Sequence, residues 1–479
     1  MNQSIRPTDS HYDTLIIGAG MSGLAAGIRL AYYENKVCIL EKHSMPGGLN
    51  SFYRLGRRNF DVGLHAMTNF VPRHIRHAPL NKLLRQLRLH YDDFKLCQQR
   101  TSEVKFPGVA LRFSNDFELF RSEVRDKFPK QAPGFDRLVT HIQSYDELNL
   151  LARAIPARAV VGEYITDPLL TDMLFCPLMF YGSASEGDME FGQFVIMFKS
   201  IFCEGFARPK VGVRQIVSTL LKKYKACHGE LRMQTGVKSI ELSNARAISV
   251  LLENGERLSA DTIISSAGYV ETMRMCSDVN PQEIDLLNKC TGKMTFMESI
   301  SILDRQPSEI GCDQTIVFFN NSGRFKYRPP AEPVDTGSAV VCCPNNFQYD
   351  APLEEGIIRI TNIANYDQWV GLDEERYVAS KQAWYERSVA EAVQFIPDFR
   401  KHVKFVDIFT PRTIHKFTGH LNGAVYGAPE KFKDGRTRIS NLFLCGTDQG
   451  FLGIIGAMLS GISMANLHVL QRSGTDTRS

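Results

Sequence analysis

Apolar and polar positions change period along the chain. Tyr12 to Ile17 is a short apolar run that breaks into Gly18-Ala19-Gly20-Met21-Ser22-Gly23, and from Met21 to Tyr33 the pattern becomes helical and alanine-rich. Strand, tight turn and helix are predicted in that order. A second apolar run, Lys36 to Leu40, ends at Glu41, about 20 residues beyond the glycines, where a βαβ nucleotide-binding unit carries its acid.

Further along, residues 76–205 read as mainly helical, with apolar clusters at Leu169–Tyr181 and Phe191–Phe206 that serve either as a buried core or as an apolar tunnel. Gln215 to Tyr224 reads as an amphipathic helix. Glu230 to Gln234 then leads to Thr235-Gly236-Val237 and a pair of alternating strands around Asn254-Gly255, a hairpin signal. Between Met294 and Phe417 the pattern predicts strands at Met294–Leu303, Thr315–Asn320, Ala339–Cys343, Ile357–Ala364 and Val403–Phe409, with one long helix, Glu374 to Phe395. Mixed sheet plus helix follows. The chain closes with a strand, Asn441 to Asp448, and a glycine-interrupted helix pattern from Gly450 to Asn466.

The glycine turn has a definite chemistry. Gly18 permits the turn, Gly20 lets backbone approach a pyrophosphate, and Gly23 lets the helix pack close to the strand. Met21 and Ser22 begin the helix, whose unpaired N–H groups and positive dipole end face the phosphates. Glu41 is placed to accept the ribose hydroxyls of an adenosine, with Lys42 beside it. An ordinary βαβ unit with a capping glutamate is the plain alternative.

At 479 residues the chain exceeds the roughly 250–300 at which one core stops growing, so at least two domains are expected. With 43% hydrophobic and 23% charged residues it has a globular composition, and its +4 balance is spread without a long run of like charge. Nucleic acid is not implied. Basic clusters at Arg54–Arg58 and Arg73–Arg88 read either as solvated surface or as contacts to an anionic lipid surface. Eleven cysteines without a CxxC pair argue for reduced thiols and a cytoplasmic protein, and adjacent Cys342 and Cys343 point to opposite faces of a strand as packing residues. The first ten residues lack a secretory h-region, and Leu442 to Leu467 is interrupted by Asp448, Gln449 and glycines, so no membrane span is predicted. No metal site is predicted.

Pro46-Gly47-Gly48, followed by Leu49, resembles the extended fingerprint of glutathione-reductase-like flavoproteins. Phe60-Asp61-Val62-Gly63, ahead of His65, resembles the FDxG element of the amine-oxidase and phytoene-desaturase superfamily. In order, GAGMSGL, EKHSMPGG, FDVG, Asn365-Tyr366-xx-Trp369, Thr410-Pro411-Arg412-Thr413, Asn422-Gly423-Ala424-Val425-Tyr426-Gly427 and LFLCGTD resemble the phytoene desaturase, carotenoid isomerase and retinol saturase family over nearly the whole chain.

That resemblance implies FAD, and with it an α/β fold: a discontinuous Rossmann-like FAD-binding domain (residues 1–75, 206–270 and 411–479) carrying an inserted α+β substrate domain (76–205 as a helical cap, 271–410 as mixed sheet). It implies that Val237 meets the adenine through its backbone. Gly446, Asp448, Gly453 and Ile454 then close over the ribityl chain and flavin, although relatives carry the acid of Asp448 one residue nearer the glycine. His65, His420 and Tyr426 are candidates for proton transfer, although a lone histidine such as His65 is more often a satisfied core residue than a catalyst. The implied activity is desaturation, saturation or isomerisation of a lipophilic isoprenoid, by hydride exchange with flavin N5, at a peripheral membrane surface. An amine oxidase-like enzyme and a flavin-bearing escort protein for a prenyl lipid are the alternatives. Oligomeric state is not read from the sequence.

Overall fold

The computed structural model describes residues 10–63, 65–146 and 154–471. Five parallel strands run in the order Leu442–Leu444, Arg257–Ser265, Ser10–Ile17, Val37–Leu40, Glu230–Arg232. Leu15 stands in register with Ile263 on one side and Cys38 on the other, and all are buried. Burial on both faces is what continuous apolar runs require of parallel strands.

An antiparallel hairpin, Val237–Ser243 with Arg246–Leu252, continues the sheet onto the start of Arg257–Ser265. The predicted Asn254-Gly255 turn stands at that last junction, with Gly255 at φ +87°. The other turn uses Asn244 and Ala245, both left-handed, and so carries no glycine signal in the sequence.

One face of this sheet is covered by the helices Met21–Tyr32 and Gly453–Ala465, which meet backbone to backbone: a Cβ on Gly461 would lie 2.0 Å from the Ser22 carbonyl oxygen. The closing helix, taken from Gly453 to Leu470, is 18 residues of mean hydropathy 1.5, long and apolar enough by composition to cross a membrane. This differs from the sequence expectation, because its glycines and serines do not lower the average enough. Within the fold Ile454, Ile455, Met458, Ile462 and Met464 are buried in the core shared with the opening helix. Half of the stretch is buried in this way.

A second sheet of seven strands runs Val403–Phe409, Thr295–Leu303, Gly356–Ala364, Ser338–Cys342, Ile316–Asn320, Ser102–Phe106, Val109–Phe113. The helix Glu374–Ala392 packs Trp384, Tyr385 and Val389 on one face. The helices Pro168–Gly182 and Phe191–Phe198 pack Phe180, Phe194 and Phe198 into the core on the other. Cys342 belongs to the second of these cores and Cys343 to the first, as alternation along a strand demands. Within residues 76–205, read as mainly helical, the hairpin Ser102–Phe113 is strand: it joins the edge of the second sheet by parallel pairing with Ile316–Asn320. Its partner lies some two hundred residues away, beyond the reach of local periodicity.

Candidate functional site

The opening glycine turn faces the glycine pair that follows the second strand. Gly47 N–H donates to the Ala19 carbonyl at 2.9 Å, and a Cβ on Gly48 would sit 3.4 Å from the Gly20 Cα. Gly18 (φ +97°) and Gly47 (φ +112°) hold left-handed conformations that an L side chain rarely adopts. A Cβ on Gly20 would meet nothing within 4 Å, whereas one on Gly23 would lie 2.0 Å from the Gly18 carbonyl oxygen. Gly20 therefore borders open space, while Gly23 serves helix packing and does not line the cavity.

That space is one cavity of about 550 Å³, within the range of ligand pockets. Gly18, Gly20, Met21, Ser22, Glu41, Lys42, Gly47, Gly48, Leu49 and Val237 line one end of it. Gly446, Thr447, Gly453 and Ile454 come to it from the end of the chain. The opening and closing helices both begin on this wall without a side-chain cap, so their first N–H groups and positive dipole ends remain available to an anion or carbonyl. The Glu41 carboxylate accepts from Ala19 N–H at 2.7 Å and His43 N–H at 2.8 Å, which orients it toward the glycine turn. Lys42 extends outward, 3.4 Å from Glu253.

The far wall is aromatic and apolar, made by Phe180, Tyr181, Met197, Phe296, Val340 and Tyr426. Set into it is a buried charge cluster. Arg359 and Glu298, 3% and 8% exposed, form an ion pair between neighbouring strands, and His65 Nε2 lies 2.9 Å from Thr361 Oγ1 and 3.6 Å from Glu298. Burial pushes the His65 imidazole below its ordinary value, against the pull of Glu298. Burial alone would push the Glu298 carboxyl up; the Arg359 guanidinium and His65 outweigh it and hold it at about 2. A neutral imidazole next to an ionised, paired carboxylate results.

The other two proton-transfer candidates stand in different surroundings. His420 lines the cavity but pairs with Glu271, 3.6 Å away, on the helix Tyr269–Arg274 that leaves the first sheet. Burial works against its protonated form, yet the hydrogen bond and charge of Glu271 raise its pKa overall. The Tyr426 phenol donates to the Phe180 carbonyl, and burial raises its pKa. Asp448 is 2% exposed and absent from the cavity wall: its carboxylate accepts from the Tyr269 N–H at 2.5 Å and the Ala428 N–H at 2.8 Å, and Thr447 lines the cavity in its place. The one-residue offset at Asp448 thus has a structural counterpart: this acid clamps two loops together.

Residues 16–87 match the NAD(P)-binding Rossmann-like domain. The chloroplastic prolycopene isomerase of Arabidopsis thaliana is 24% identical over an alignment covering 96% of this chain and 82% of that protein. The all-trans-retinol 13,14-reductase of Danio rerio is 20% identical, over 96% and 86% respectively. The chain is a homologue of the prolycopene isomerases, phytoene desaturases and retinol reductases. A solved oxidoreductase from Methanosarcina mazei, 16% identical, superposes with a TM-score of 0.67 over 95% of this chain and 99% of that one, and shares its fold.

With that homology in place, the narrower motifs separate into supports and wall. Thr410 caps the helix Pro411–Thr418 by accepting from Thr413 N–H, and Ile414, Phe417 and Thr418 of that helix reach the cavity. Trp369 is buried, with its indole N–H on the Pro333 carbonyl, away from the cavity. Glu298, Thr361 and Tyr181 belong to the wall yet escape local pattern reading. A charge inside each of the strands FMESIS and IIRITNI was the available signal, since an unpaired charge does not survive in a buried strand. The Tyr181 hydroxyl is buried without a hydrogen-bond partner, its ring 6.4 Å from His65. Buried polar atoms rarely stay unpaired without a reason.

Proposed function

We propose that this protein is an FAD-dependent oxidoreductase that desaturates, saturates or isomerises a long isoprenoid or carotenoid. The observation that carries this reading is the single cavity that joins a dinucleotide cradle to an apolar, aromatic wall. The residues present fit FAD: Glu41 toward the ribose, the Gly18–Ser22 backbone toward the pyrophosphate, Val237 toward the adenine, and the uncapped start of the closing helix, Gly453 and Ile454, toward the flavin carbonyls. When bound, FAD supplies the two-electron chemistry.

The chain's own contribution is positioning and exclusion of water. Phe180, Phe296 and Met197 give a flexible hydrocarbon an apolar bed, and alignment of the reacting carbons is worth several kcal/mol. His65, kept neutral by burial and held by Thr361 and Glu298, offers a fixed imidazole on that bed. The free Tyr181 hydroxyl offers a proton donor beside it. His420 is spent on Glu271, and Tyr426 on a carbonyl, so both serve better as positioning residues.

The amine-oxidase alternative is weaker: Phe451, the aromatic residue at the start of the closing helix, lines a separate pocket and is absent from this wall. Contact with a membrane surface belongs to the proposal, because a water-insoluble substrate has to be drawn from a bilayer. Docking through residues 76–205 has limited support, since Ile155 is the one exposed large apolar side chain there among the described residues. Vesicle flotation tests it.

The activity is tested by anaerobic incubation of FAD-loaded protein with C30 and C40 polyenes and retinol, following flavin absorbance and chromatographed products. Conversion of at least one polyene is expected. No conversion of any, together with peroxide release from amines, would overturn the assignment.

A further inference from the structure

The helix Pro411–Thr418 is fixed at its start. Pro411 is buried, Thr410 accepts from the Thr413 N–H, and the Tyr377 hydroxyl lies 2.8 Å from Thr410 Oγ1 and 3.1 Å from Thr413 Oγ1. Arg412 donates to the Leu372 carbonyl at 3.2 Å. The other end stops at Gly419, left-handed at φ +77°. A short, anchored helix thus brings Ile414, Phe417 and Thr418, spaced as neighbours on one helix face, to the wall of the large cavity.

Phe417 is unlike the rest of that wall. It is 51% exposed, and among the described residues it is the one exposed large apolar side chain that lines the cavity. Its ring stands 5.2 Å from the His43 ring at 82° to it, and Lys416 Nζ lies 5.5 Å from its centroid. His43 is itself held: its Nδ1 accepts from the Met45 N–H at 3.1 Å, and its own backbone N–H donates to the Glu41 carboxylate. Phe417 is therefore linked through His43 alone to the acid assigned to the adenosine ribose.

We propose that Phe417 covers the adenine of bound FAD, its ring stacked on a face of the base; the inference rests on the FAD reading above. An aromatic ring is a fitting cover for a planar base, and the contact takes the exposed apolar area of Phe417 out of water. Ribose and phosphate present hydroxyls and charge, for which a phenyl ring offers no partner. A hydrocarbon chain has its bed on the far wall, where Phe180, Phe296 and Met197 are buried.

The test is titration of the flavin-free full chain with FAD, with ADP, which keeps the adenosine, and with FMN, which lacks it. Phe417→Ala should weaken FAD and ADP binding together by about tenfold or more and leave FMN affinity within about twofold. The melting temperature of the flavin-free variant should match that of the natural chain, because a half-exposed side chain contributes little to folding. Phe417→Trp, which keeps an aromatic face, should retain FAD and ADP affinity. Unchanged FAD and ADP affinity in Phe417→Ala overturns the inference, as does an equal loss of FMN; either leaves the FAD reading standing. A natural chain that binds none of the three overturns both.

Discussion

The two ends of the cavity are built by opposite means. At the dinucleotide end the wall is backbone: glycines without side chains, helix ends without caps, and one oriented acid, Glu41. At the far end the wall is side chain, and a buried ion pair with a neutral histidine is assembled from strands more than two hundred residues from His65 in the chain. The first arrangement tolerates little change in ligand, because peptide groups are fixed. The second can change specificity by substitution of single residues while the sheet beneath it stays the same.

The most severe test of this contrast is Glu298→Gln, which strands the buried Arg359 charge. A loss of about 3–5 kcal/mol is expected, read from denaturant unfolding. The same residue sets an acid limit. Its folded pKa of about 2 lies below the ordinary 4.5, so it contributes stability above that ordinary value and loses it as pH falls toward 2. In the variant this part of the acid dependence should vanish; an unchanged acid profile would show that the pair is not what holds the far wall.

Next come two glycines three residues apart. Gly23→Ala pushes a methyl group into the Gly18 carbonyl and should cost about 1–3 kcal/mol of stability. Gly20→Ala has room and an ordinary backbone conformation (φ −70°), so stability should stay within about 0.5 kcal/mol. FAD affinity should nevertheless fall about tenfold or more, because the methyl occupies the phosphate approach. Equal effects of the two substitutions on unfolding would erase the distinction between a packing glycine and a ligand-facing one.

The smallest expected change in stability is that of Tyr181→Phe. Its hydroxyl has no partner to lose, so unfolding free energy should stay level within about 0.5 kcal/mol or rise, while turnover of a polyene falls. Tyr426→Phe inverts this: about 1 kcal/mol of stability goes with the hydrogen bond to Phe180, and turnover changes less than in the Tyr181 variant. Reversal of that order in steady-state kinetics would return Tyr426 to the proton-transfer role.

Much of the dinucleotide end was readable along the chain, because a strand, a glycine turn, a helix and an acid at set spacing are local features. The five strands predicted between Met294 and Phe409 were readable for a similar reason, as continuous apolar runs. The hairpin at Ser102–Phe113 was not, since its strands are specified by pairing with Ile316–Asn320. The role of Asp448 was not either: the family resemblance suggested an acid beside the cofactor, and only folding turned it toward the amides of Tyr269 and Ala428.

By itself, then, the amino-acid order determined that there is a Rossmann-type βαβ unit, which positions of its glycine turn lack side chains, and which runs must be buried. These follow from backbone conformation and period, which act over a few residues. Tertiary structure alone decided that His65 meets Glu298 and Thr361, that Tyr181 keeps a free hydroxyl, and that Met197 lines the large cavity while Phe451 lines a separate pocket. Those outcomes depend on sheet register and helix packing across the whole chain, where one strand shifted by one residue would turn Glu298 to the opposite face.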